Sequence, residues 1–403
     1  MAIYSGLKMK KPLYRLNYRS GHKIELLQSG EPFFQAVEKI IDDARKYIHF
    51  QTYLVDEDDT GRRIINALIR AAHRGVRVYL LLDAYGTKYL SKEFIDSIEN
   101  AGILFRFFSP TFVTNDFQLS LRLHSKVVMA DGEIAVIGGL NFADRYHGTP
   151  AKKAWLDFAV TLRGPESVQL LAIIKRHWNK TFLSKQERAT EMIHTPVYYE
   201  ENVRVKVLHN NWYRNKMEIL RSYRSALRHA EEKILIMASY FLPGRLERKL
   251  LKNASMRGVD ITIVLAAESD APMFDRATHF LYEFILKNKI KIYEYLPSNL
   301  HAKVAAVDGK WSTIGSYNIN HVSDYGSIEI NVGIFDEPFT QRFEELMRNI
   351  IAADCREVTI EEFTRRQTWH SRLAGWFAYQ MIRLAMRIMY QMTSKKKRTT
   401  QNW

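Results

Sequence analysis

The sequence predicts an α/β protein made of two similar halves, each a mixed β-sheet flanked by helices. Three observations support this prediction: apolar, strand-like runs alternate with amphipathic helical stretches, one pattern of polar residues occurs twice, and the elements ahead of that pattern recur in the same order. Each half spans roughly 160 residues, a size that suits a single hydrophobic core.

Ahead of the repeated pattern, both halves carry the succession strand, helix, strand, helix, strand. In the first half these elements are predicted over residues 47–54, 61–74, 76–83, 91–100 and 103–108. In the second half they are predicted over residues 234–241, 246–257, 259–266, 275–287 and 290–295. The first strand of each half is a near-continuous apolar run, as expected of a strand buried on both faces. Gly75 and Gly258 follow the first helix of their half and fit helix C-terminal caps.

The repeated pattern reads H-x-K-x4-D-x6-G-[GS]-x-N. Its first copy consists of His124, Lys126, Asp131, Gly138, Gly139 and Asn141. Its second copy consists of His301, Lys303, Asp308, Gly315, Ser316 and Asn318. In both copies an apolar, β-prone run precedes Asp-Gly and another such run follows it, which predicts a β-hairpin.

Histidine and lysine two positions apart on a strand point to the same face, so each pair can meet one ligand. Histidine serves near neutral pH as a nucleophile or a proton donor, and lysine is a cation that holds phosphate oxygens. The two copies therefore predict a phosphate site with His124, Lys126, His301 and Lys303 as catalytic residues. Taken singly, such a histidine or a glycine-flanked asparagine is as readily explained by structure, as a buried strand residue or a helix cap.

The other members of the pattern are assigned by their chemistry. Asp131 and Asp308 are predicted as catalytic members of the motif, although they are also the members best suited to an architectural role in the turn. The predicted substrate-binding residues share small size or an amide group, which let the backbone approach a ligand or bind phosphate oxygens: Asn141, Asn318, Gly139 and Ser316.

Two carboxylates, Asp157 and Glu329, follow the motifs and stand at the start of apolar strands. Each is predicted to orient a histidine, because a carboxylate that accepts the Nδ1 proton leaves Nε2 facing the phosphorus and stabilises the imidazolium. The alternative is a charge that faces solvent at the edge of a strand.

The doubled His-Lys-Asp motif resembles the phospholipase D superfamily, over nearly the whole body from about residue 23 to residue 354. Within it, Gly138-Gly139-Leu140-Asn141 is similar to the bacterial cardiolipin synthases, while Ser125 stands where those enzymes often have arginine. The resemblance implies two halves packed as a pseudo-twofold pair with both motifs at their interface. It also implies that His124 is the nucleophile, forming a phosphohistidine, and His301 the general acid and base, although the symmetry leaves these roles reversible. We expect no metal and no cofactor.

The net charge of +15 is concentrated at the ends of the chain. Six cations and no acid lie in residues 1–23, and nine cations and no acid lie in residues 365–398, which leaves the body formally neutral. A nucleic-acid enzyme would place cations along the body near its site. The charge distribution therefore favours a lipid substrate and no nucleic-acid partner.

The C-terminal stretch predicts an amphipathic helix. Arg372, Arg383 and Arg387 form one narrow stripe, and the apolar side chains on the broad opposite side are Phe377, Met381, Leu384, Ala385, Ile388 and Met392. With the run Lys395-Lys396-Lys397-Arg398, the helix is predicted to lie on an anionic membrane surface. The alternative is a helix docked on the protein's own core or in an oligomer interface.

The sequence shows no signal peptide, no 18-residue apolar stretch and a single cysteine, Cys355. We therefore expect a peripheral protein on the cytoplasmic side of the cell membrane, similar to cardiolipin synthases without N-terminal transmembrane segments. The predicted divisions are a basic segment (1–23), a first half (24–190), a connection (191–205), a second half (206–355) and a basic C-terminal helix and tail (356–403).

The leading functional hypothesis is a cardiolipin synthase that transfers a phosphatidyl group from one phosphatidylglycerol to another and releases glycerol. The alternatives are a phospholipase D that hydrolyses phospholipids, a nuclease of the same superfamily, and a membrane-binding protein without catalysis. The sequence predicts no oligomeric state.

Overall fold

Strands and helices alternate in both halves of the computed structural model, which describes residues 17–109, 121–180, 188–192, 195–214 and 216–400. The first half contains β1 (Arg19–Gln28), α1 (Glu31–Asp43), β2 (Tyr47–Thr52), α2 (Asp59–His73), β3 (Arg77–Asp83), α3 (Lys92–Asn100), β4 (Leu104–Phe108), β5 (Arg122–Leu123), β6 (Lys126–Ala130), β7 (Ile134–Gly138), α4 (Asp144–His147), β8 (Phe158–Arg163) and α5 (Glu166–Trp178).

The second half begins with β9 (Val203–Asn211), β10 (Lys216–Met217), α6 (Glu218–His229), β11 (Lys233–Ala238), α7 (Arg245–Met256), β12 (Asp260–Ala266), α8 (Pro272–Lys287) and β13 (Lys291–Tyr295). It continues with β14 (Lys303–Val307), β15 (Trp311–Gly315), α9 (His321–Tyr325), β16 (Ser327–Ile334), α10 (Glu337–Asp354), β17 (Cys355–Val358), α11 (Ile360–Arg366) and α12 (Trp369–Thr400). The elements predicted ahead of each motif are present, with ends that differ by a few residues.

The two sheets have the same strand order. In the first half β2, β3 and β4 are parallel, and β6, β7 and β8 extend the sheet beyond β2 as antiparallel neighbours. In the second half β11, β12 and β13 are parallel, and β14, β15 and β16 extend the sheet in the same way. The predicted mixed sheets are therefore confirmed, and both motif hairpins lie at equivalent places within them.

The halves are joined through backbone pairing and a shared core. β1 pairs with β8 of its own half and with β9 of the other. One core cluster takes side chains from both halves, among them Leu123, Leu156, Leu300 and Ile328, which are at most 3 % exposed. Because these four side chains flank the two histidines and the two carboxylates in sequence, the shared core lies beside the predicted site.

Three predicted division limits do not coincide with element boundaries. Residues 19–23 of the basic segment form the first part of β1, and residues 203–205 of the connection begin β9. The limit at residue 355 cuts through β17, which pairs with β13. These strands are specified by distant partners, which the local sequence pattern does not reveal. Residues 1–16, with the other cations of the basic segment, lie outside the described residues.

The C-terminal helix α12 packs against α8 and α9 on one side and exposes apolar side chains on another. Its buried side chains belong to the core cluster of the second half: Ala378, Tyr379, Ile382 and Met386. Its exposed apolar side chains include Leu373, Phe377, Met381, Leu384 and Ile388. The helix is therefore docked on its own protein, as the alternative prediction had it, while much of the predicted apolar face stays open to solvent. In the described part of the chain, none of the helices combines the length and apolarity needed to span a bilayer.

Candidate active site

The motif strands bring the two predicted His-Lys pairs to the junction of the halves. Lys126 and Lys303 are the first residues of β6 and β14, which pair in register with β2 and β11 at the centre of their sheets. His124 and His301 lie just ahead of these strands. The His124 backbone N–H donates to the Ile328 carbonyl, and the His301 N–H donates to the Leu156 carbonyl. Each histidine is thus fixed to the backbone of the opposite half.

The two carboxylates pair crosswise with the histidines. His124 Nδ1 lies 3.0 Å from both carboxylate oxygens of Glu329, and His301 Nδ1 lies 2.6 Å from Asp157 Oδ2. Asp157 and Glu329 are both fully buried. The predicted arrangement, one carboxylate for each histidine, is present, and every pair combines residues of both halves.

The surroundings of the two carboxylates differ. Glu329 accepts hydrogen bonds from Ser316 Oγ (2.6 Å) and Ser327 Oγ (2.7 Å). Asp157 accepts one from the Phe158 N–H (2.8 Å), and Gly139 lies so close that a Cβ there would be 2.4 Å from Asp157 Oδ2. Glycine at one position and serine at the other therefore help to set the position of the carboxylate.

The two motif lysines are almost completely buried, and each contacts the backbone of its own motif histidine. Lys126 Nζ donates to the His124 carbonyl (2.6 Å), and Lys303 Nζ donates to the His301 carbonyl. Lys303 Nζ also lies 2.8 Å from His301 Nδ1, but an ammonium is a donor and cannot accept the ring proton. A proton on His301 Nδ1 is therefore accepted by Asp157 Oδ2.

Burial dominates the electrostatics of the site. It lowers the pKa of His124, helped by Lys126 and opposed by Glu329, and it lowers the pKa of His301 well below the ordinary value, helped by Lys303 and Lys126. It also lowers the pKa of Lys126 to about 7. Since the charge of one histidine also affects the pKa of the other, the two pairs form one electrostatic cluster.

Burial acts differently on the two carboxylates. It raises the pKa of Asp157 to about 6, against the opposing effect of Lys303. For Glu329, the same effect is outweighed by His124, Lys126 and Ser316, and the pKa lies below the ordinary value. Glu329 is therefore ionised more readily than Asp157.

Asn141 and Asn318, the last residues of the two motifs, are both buried. Neither amide oxygen has a hydrogen-bond partner among the described residues. Asn141 Nδ2 donates to the Tyr146 hydroxyl (2.8 Å), which lies 3.3 Å from His301 Nε2. Asn141 is thus linked to His301 through the Tyr146 hydroxyl, and its role in substrate binding stays a prediction.

Asp131 and Asp308 lie away from this cluster. Both have a positive φ of 55° in the hairpin turn, at the far end of a five-residue motif strand that spans about 16 Å at the usual rise per residue. Asp131 accepts from the backbone N–H groups of Arg45, Lys46 and Tyr47, and Asp308 accepts from those of residues 231–233. Their predicted assignment as catalytic residues is corrected to a structural role, tying the turn to the start of the central strand.

Sequence reasoning did not identify four residues that surround the histidines. Tyr53 packs edge-on against His124 at 5.3 Å, and Tyr146 packs edge-on against His301 at 5.0 Å. Trp155 lies 6.0 Å from the His301 ring, and Ser327 is the second donor to Glu329. Trp155 lies two residues before Asp157, so its side chain could have been expected on the same face of the chain as that carboxylate. Tyr146 could not be found from the repeat, because the equivalent position after the second motif is Ser323.

A family model described as cardiolipin synthase, PLD-like domain, matches residues 37–178 and again residues 223–360. The chain belongs to this family. The two matches coincide with the two halves and confirm the predicted repeat of the phospholipase D superfamily. Within the described ranges, no three His, Cys, Asp or Glu side chains are grouped as metal ligands.

Members of known sequence are similar over almost the full chain. Cardiolipin synthase B of Escherichia coli (strain K12) is 32% identical, over 92% of this chain and 90% of that protein. Cardiolipin synthase of Geobacillus kaustophilus (strain HTA426) is 28% identical, over 89% of this chain and 72% of that protein. Together with the family match, these relatives confirm the predicted enzyme class, a phosphatidyltransferase.

The fold is also that of a solved structure. Phosphatidylserine synthase from Haemophilus influenzae Rd KW20 superposes with a TM-score of 0.70 over 93% of this chain and 97% of that chain. At 14% sequence identity, this likeness concerns the fold alone. It agrees with the predicted α/β architecture of two halves.

Proposed function

We propose that this family member is a cardiolipin synthase, which transfers a phosphatidyl group from one phosphatidylglycerol to the glycerol hydroxyl of another and releases glycerol. The observation that carries the proposal is the crosswise arrangement of two His-carboxylate pairs around two buried lysines. Such a site supplies a nucleophile, a proton donor and cations for one phosphodiester. The similarity to cardiolipin synthases supports the choice of substrate.

His124 is the proposed nucleophile. Its Nδ1 proton is held by ionised Glu329, its side chain is 19 % exposed against 7 % for His301, and Nε2 has no hydrogen-bond partner among the described residues. A lowered pKa keeps the ring neutral, so the Nε2 lone pair is free to attack phosphorus. His301 Nε2, in contrast, lies within reach of Tyr146.

His301 is the proposed general acid and base. In the free site its pKa is lowered by burial and by the two lysine cations. An anionic phosphodiester bound to Lys126 and Lys303 offsets those cations and favours the imidazolium, which Asp157 then stabilises. The incoming substrate thus brings the acid into its working protonation state.

The reaction proceeds in two balanced steps. His124 Nε2 forms a bond to phosphorus while the bond from phosphorus to the glycerol oxygen breaks, and His301 gives its proton to that oxygen. The hydroxyl of the second phosphatidylglycerol then loses its proton to His301 and attacks phosphorus, and the bond between phosphorus and His124 breaks. Lys126, Lys303, Asn141 and Asn318 hold the phosphate oxygens throughout.

The enzyme is proposed to act as a peripheral protein on the cytoplasmic side of the cell membrane. The support is the apolar face that α12 leaves exposed, including Phe377, Leu384 and Ile388. No acidic residue lies between residues 365 and 398, so this face suits an anionic bilayer surface. The side chains of Met392 and of the run Lys395–Arg398 lie outside the described residues.

Product identity tests the proposed function. Purified protein is incubated with phosphatidylglycerol vesicles, with H124A as the blank, and lipids and glycerol are quantified. Cardiolipin and glycerol in equal amounts are expected. Phosphatidic acid in place of cardiolipin would indicate hydrolysis, and salt-sensitive cleavage of single-stranded DNA that requires both histidines would indicate the nuclease alternative.

A further inference from the structure

A pocket of about 410 Å³ lies between the C-terminal helix and the short helix that follows the second motif. Arg383 and Arg387, one turn apart on α12, line one side. His321 and Tyr325, one turn apart on α9, line the other, with their rings 5.9 Å apart. The pocket is therefore lined by cationic and aromatic groups.

No described acidic side chain forms a salt bridge with either arginine. Arg383 donates a hydrogen bond to Gln380 Oε1, at 3.1 Å. The nearby acid Asp324 is buried, where its Oδ2 lies 3.0 Å from His321 Nδ1 and its Oδ1 accepts from the Tyr317 hydroxyl. Two guanidinium groups on one wall, with their positive charge unneutralised, match an anion that accepts several hydrogen bonds, as a phosphodiester does.

The pocket continues into an apolar surface. Leu384 lines it and is 53% exposed, and Ile388 lies one turn further along α12 and is 44% exposed. An anion bound between the arginines would therefore have apolar side chains beside it. A ligand with an anionic head and an apolar body fits this combination, whereas a free phosphate would not contact the apolar side chains.

We propose that this pocket binds the phosphodiester of an anionic phospholipid of the bilayer, with the acyl chains along Leu384 and Ile388. The inference rests on the proposed function, in which the protein works on phospholipids at a membrane surface. It adds a lipid site on α12 and α9 that is separate from the proposed catalytic histidines, His124 and His301.

The pocket is connected to the second motif by hydrogen bonds. Within α9, Ser323 Oγ lies 3.3 Å from the backbone nitrogen of Asn318, and Asp324 joins His321 to Tyr317, the residue before Asn318. Asn320 caps the helix through the Ser323 N–H. A lipid bound between α12 and α9 would therefore contact a helix that is hydrogen-bonded to the motif loop carrying Asn318.

Vesicle binding tests this site in an H124A background, which keeps the chain from turning over the lipid. Sedimentation with vesicles of phosphatidylcholine, alone or mixed with phosphatidylglycerol, compares R383Q/R387Q, R383K/R387K and R342Q/R348Q. The last pair removes two exposed arginines from α10 and is the charge-matched control. We expect R383Q/R387Q to lose about tenfold in binding to the mixed vesicles and the control to lose less than about twofold.

The R383K/R387K variant distinguishes a specific phosphodiester site from general attraction between a cationic surface and an anionic membrane. Lysine keeps the charge but not the two-pronged geometry of arginine, so R383K/R387K is expected to bind several-fold more weakly than its parent. Equal binding of R383K/R387K and its parent, or equal losses in R383Q/R387Q and the α10 control, would overturn the proposal. A failure of the unmodified chain to make cardiolipin would refute the proposed function and leave this binding result standing.

Discussion

At the scale of single residues, the proposed chemistry depends on each histidine having a different environment. His124 is paired with an ionised carboxylate and has an open Nε2, whereas His301 is more deeply buried against Asp157 and Tyr146. The repeat made both histidines predictable, because two copies at one spacing single out the shared residues. Their crosswise carboxylates were not predictable in that way, since chain proximity associates Asp157 with His124 instead.

The leaving group separates the two histidine roles. We expect H301A to lose about a thousandfold in turnover of phosphatidylglycerol but to retain much of the rate of the first-turnover release of p-nitrophenol from a p-nitrophenyl phosphodiester, which needs no proton donor. H124A should be inactive on both substrates because it removes the nucleophile. Stopped-flow absorbance measures the release, and equal losses for both variants on the activated substrate would contradict the assignment.

The pKa of Lys126 predicts how substrate binding depends on pH. Burial lowers this pKa to about 7, so the free enzyme loses the cation as pH rises above that value, while a bound phosphodiester favours the charged form. KM should therefore rise above pH 7 by up to about tenfold per pH unit. K126R keeps its charge and should flatten that rise. Parallel KM profiles for the two proteins would rule out Lys126 as the titrating group.

Gly139 is predicted to be intolerant of a side chain. A Cβ would lie 2.4 Å from Asp157 Oδ2, so G139A should displace the carboxylate from His301 and lower kcat by about a hundredfold. S316A, at the equivalent position, removes one hydrogen bond to Glu329 and should cost about tenfold. Steady-state kinetics with circular dichroism as a folding control measures both, and unaltered kcat in G139A would refute the geometric argument.

At the scale of elements, the site depends on short backbone bridges between the halves. β5 runs parallel to the start of β16, and Leu156 forms a parallel bridge with Leu300. These bridges align His124 with Glu329 and His301 with Asp157. The local pattern predicted the strands and hairpins because each buries its own apolar side chains, but it carried no information on which segment of the other half each would meet.

The bridge at Leu156 predicts a loss of activity beyond the loss of stability. Leu156 and Leu251 are both buried, but Leu251 lies in the outer core of the second half. L156A and L251A should each lower the free energy of unfolding by about 2 to 5 kcal/mol. Only L156A should also lower kcat at a temperature where both variants are folded. Equal kcat values, with urea denaturation confirming folding, would show that the bridge does not position the site.

At the scale of the whole molecule, the proposed active site lies between the halves, and the exposed apolar face lies on the C-terminal helix of the second half. Amphipathicity predicted the helix, but it could not divide the apolar residues between a docked side and a free side. The helix packs closely on α8 at Gly375, where a Cβ would lie 3.3 Å from Phe280. This packing buries Ala378, Tyr379, Ile382 and Met386. The proposed binding to the bilayer and the proposed chemistry therefore involve different surfaces.

This division predicts that membrane binding can be removed without loss of chemistry. F377S/I388S should bind vesicles containing phosphatidylglycerol at least about tenfold more weakly, because both side chains are largely exposed and contribute to the apolar face. It should turn over a short-chain, soluble phosphatidylglycerol at the normal rate. M256S/L296S, which changes exposed apolar residues elsewhere, is the matched control. Equal vesicle binding by the two variants would contradict the proposal that this face of α12 binds the membrane.

The central claim is that His124 and His301, one from each half, act on one phosphorus atom. Its most direct test is rapid alkaline quenching of H301A with a p-nitrophenyl phosphodiester of diacylglycerol, followed by peptide mass mapping. Because H301A lacks the base that activates the acceptor, we expect the phosphatidyl adduct to accumulate on His124. An adduct on another residue, or turnover without any adduct, would contradict the claim.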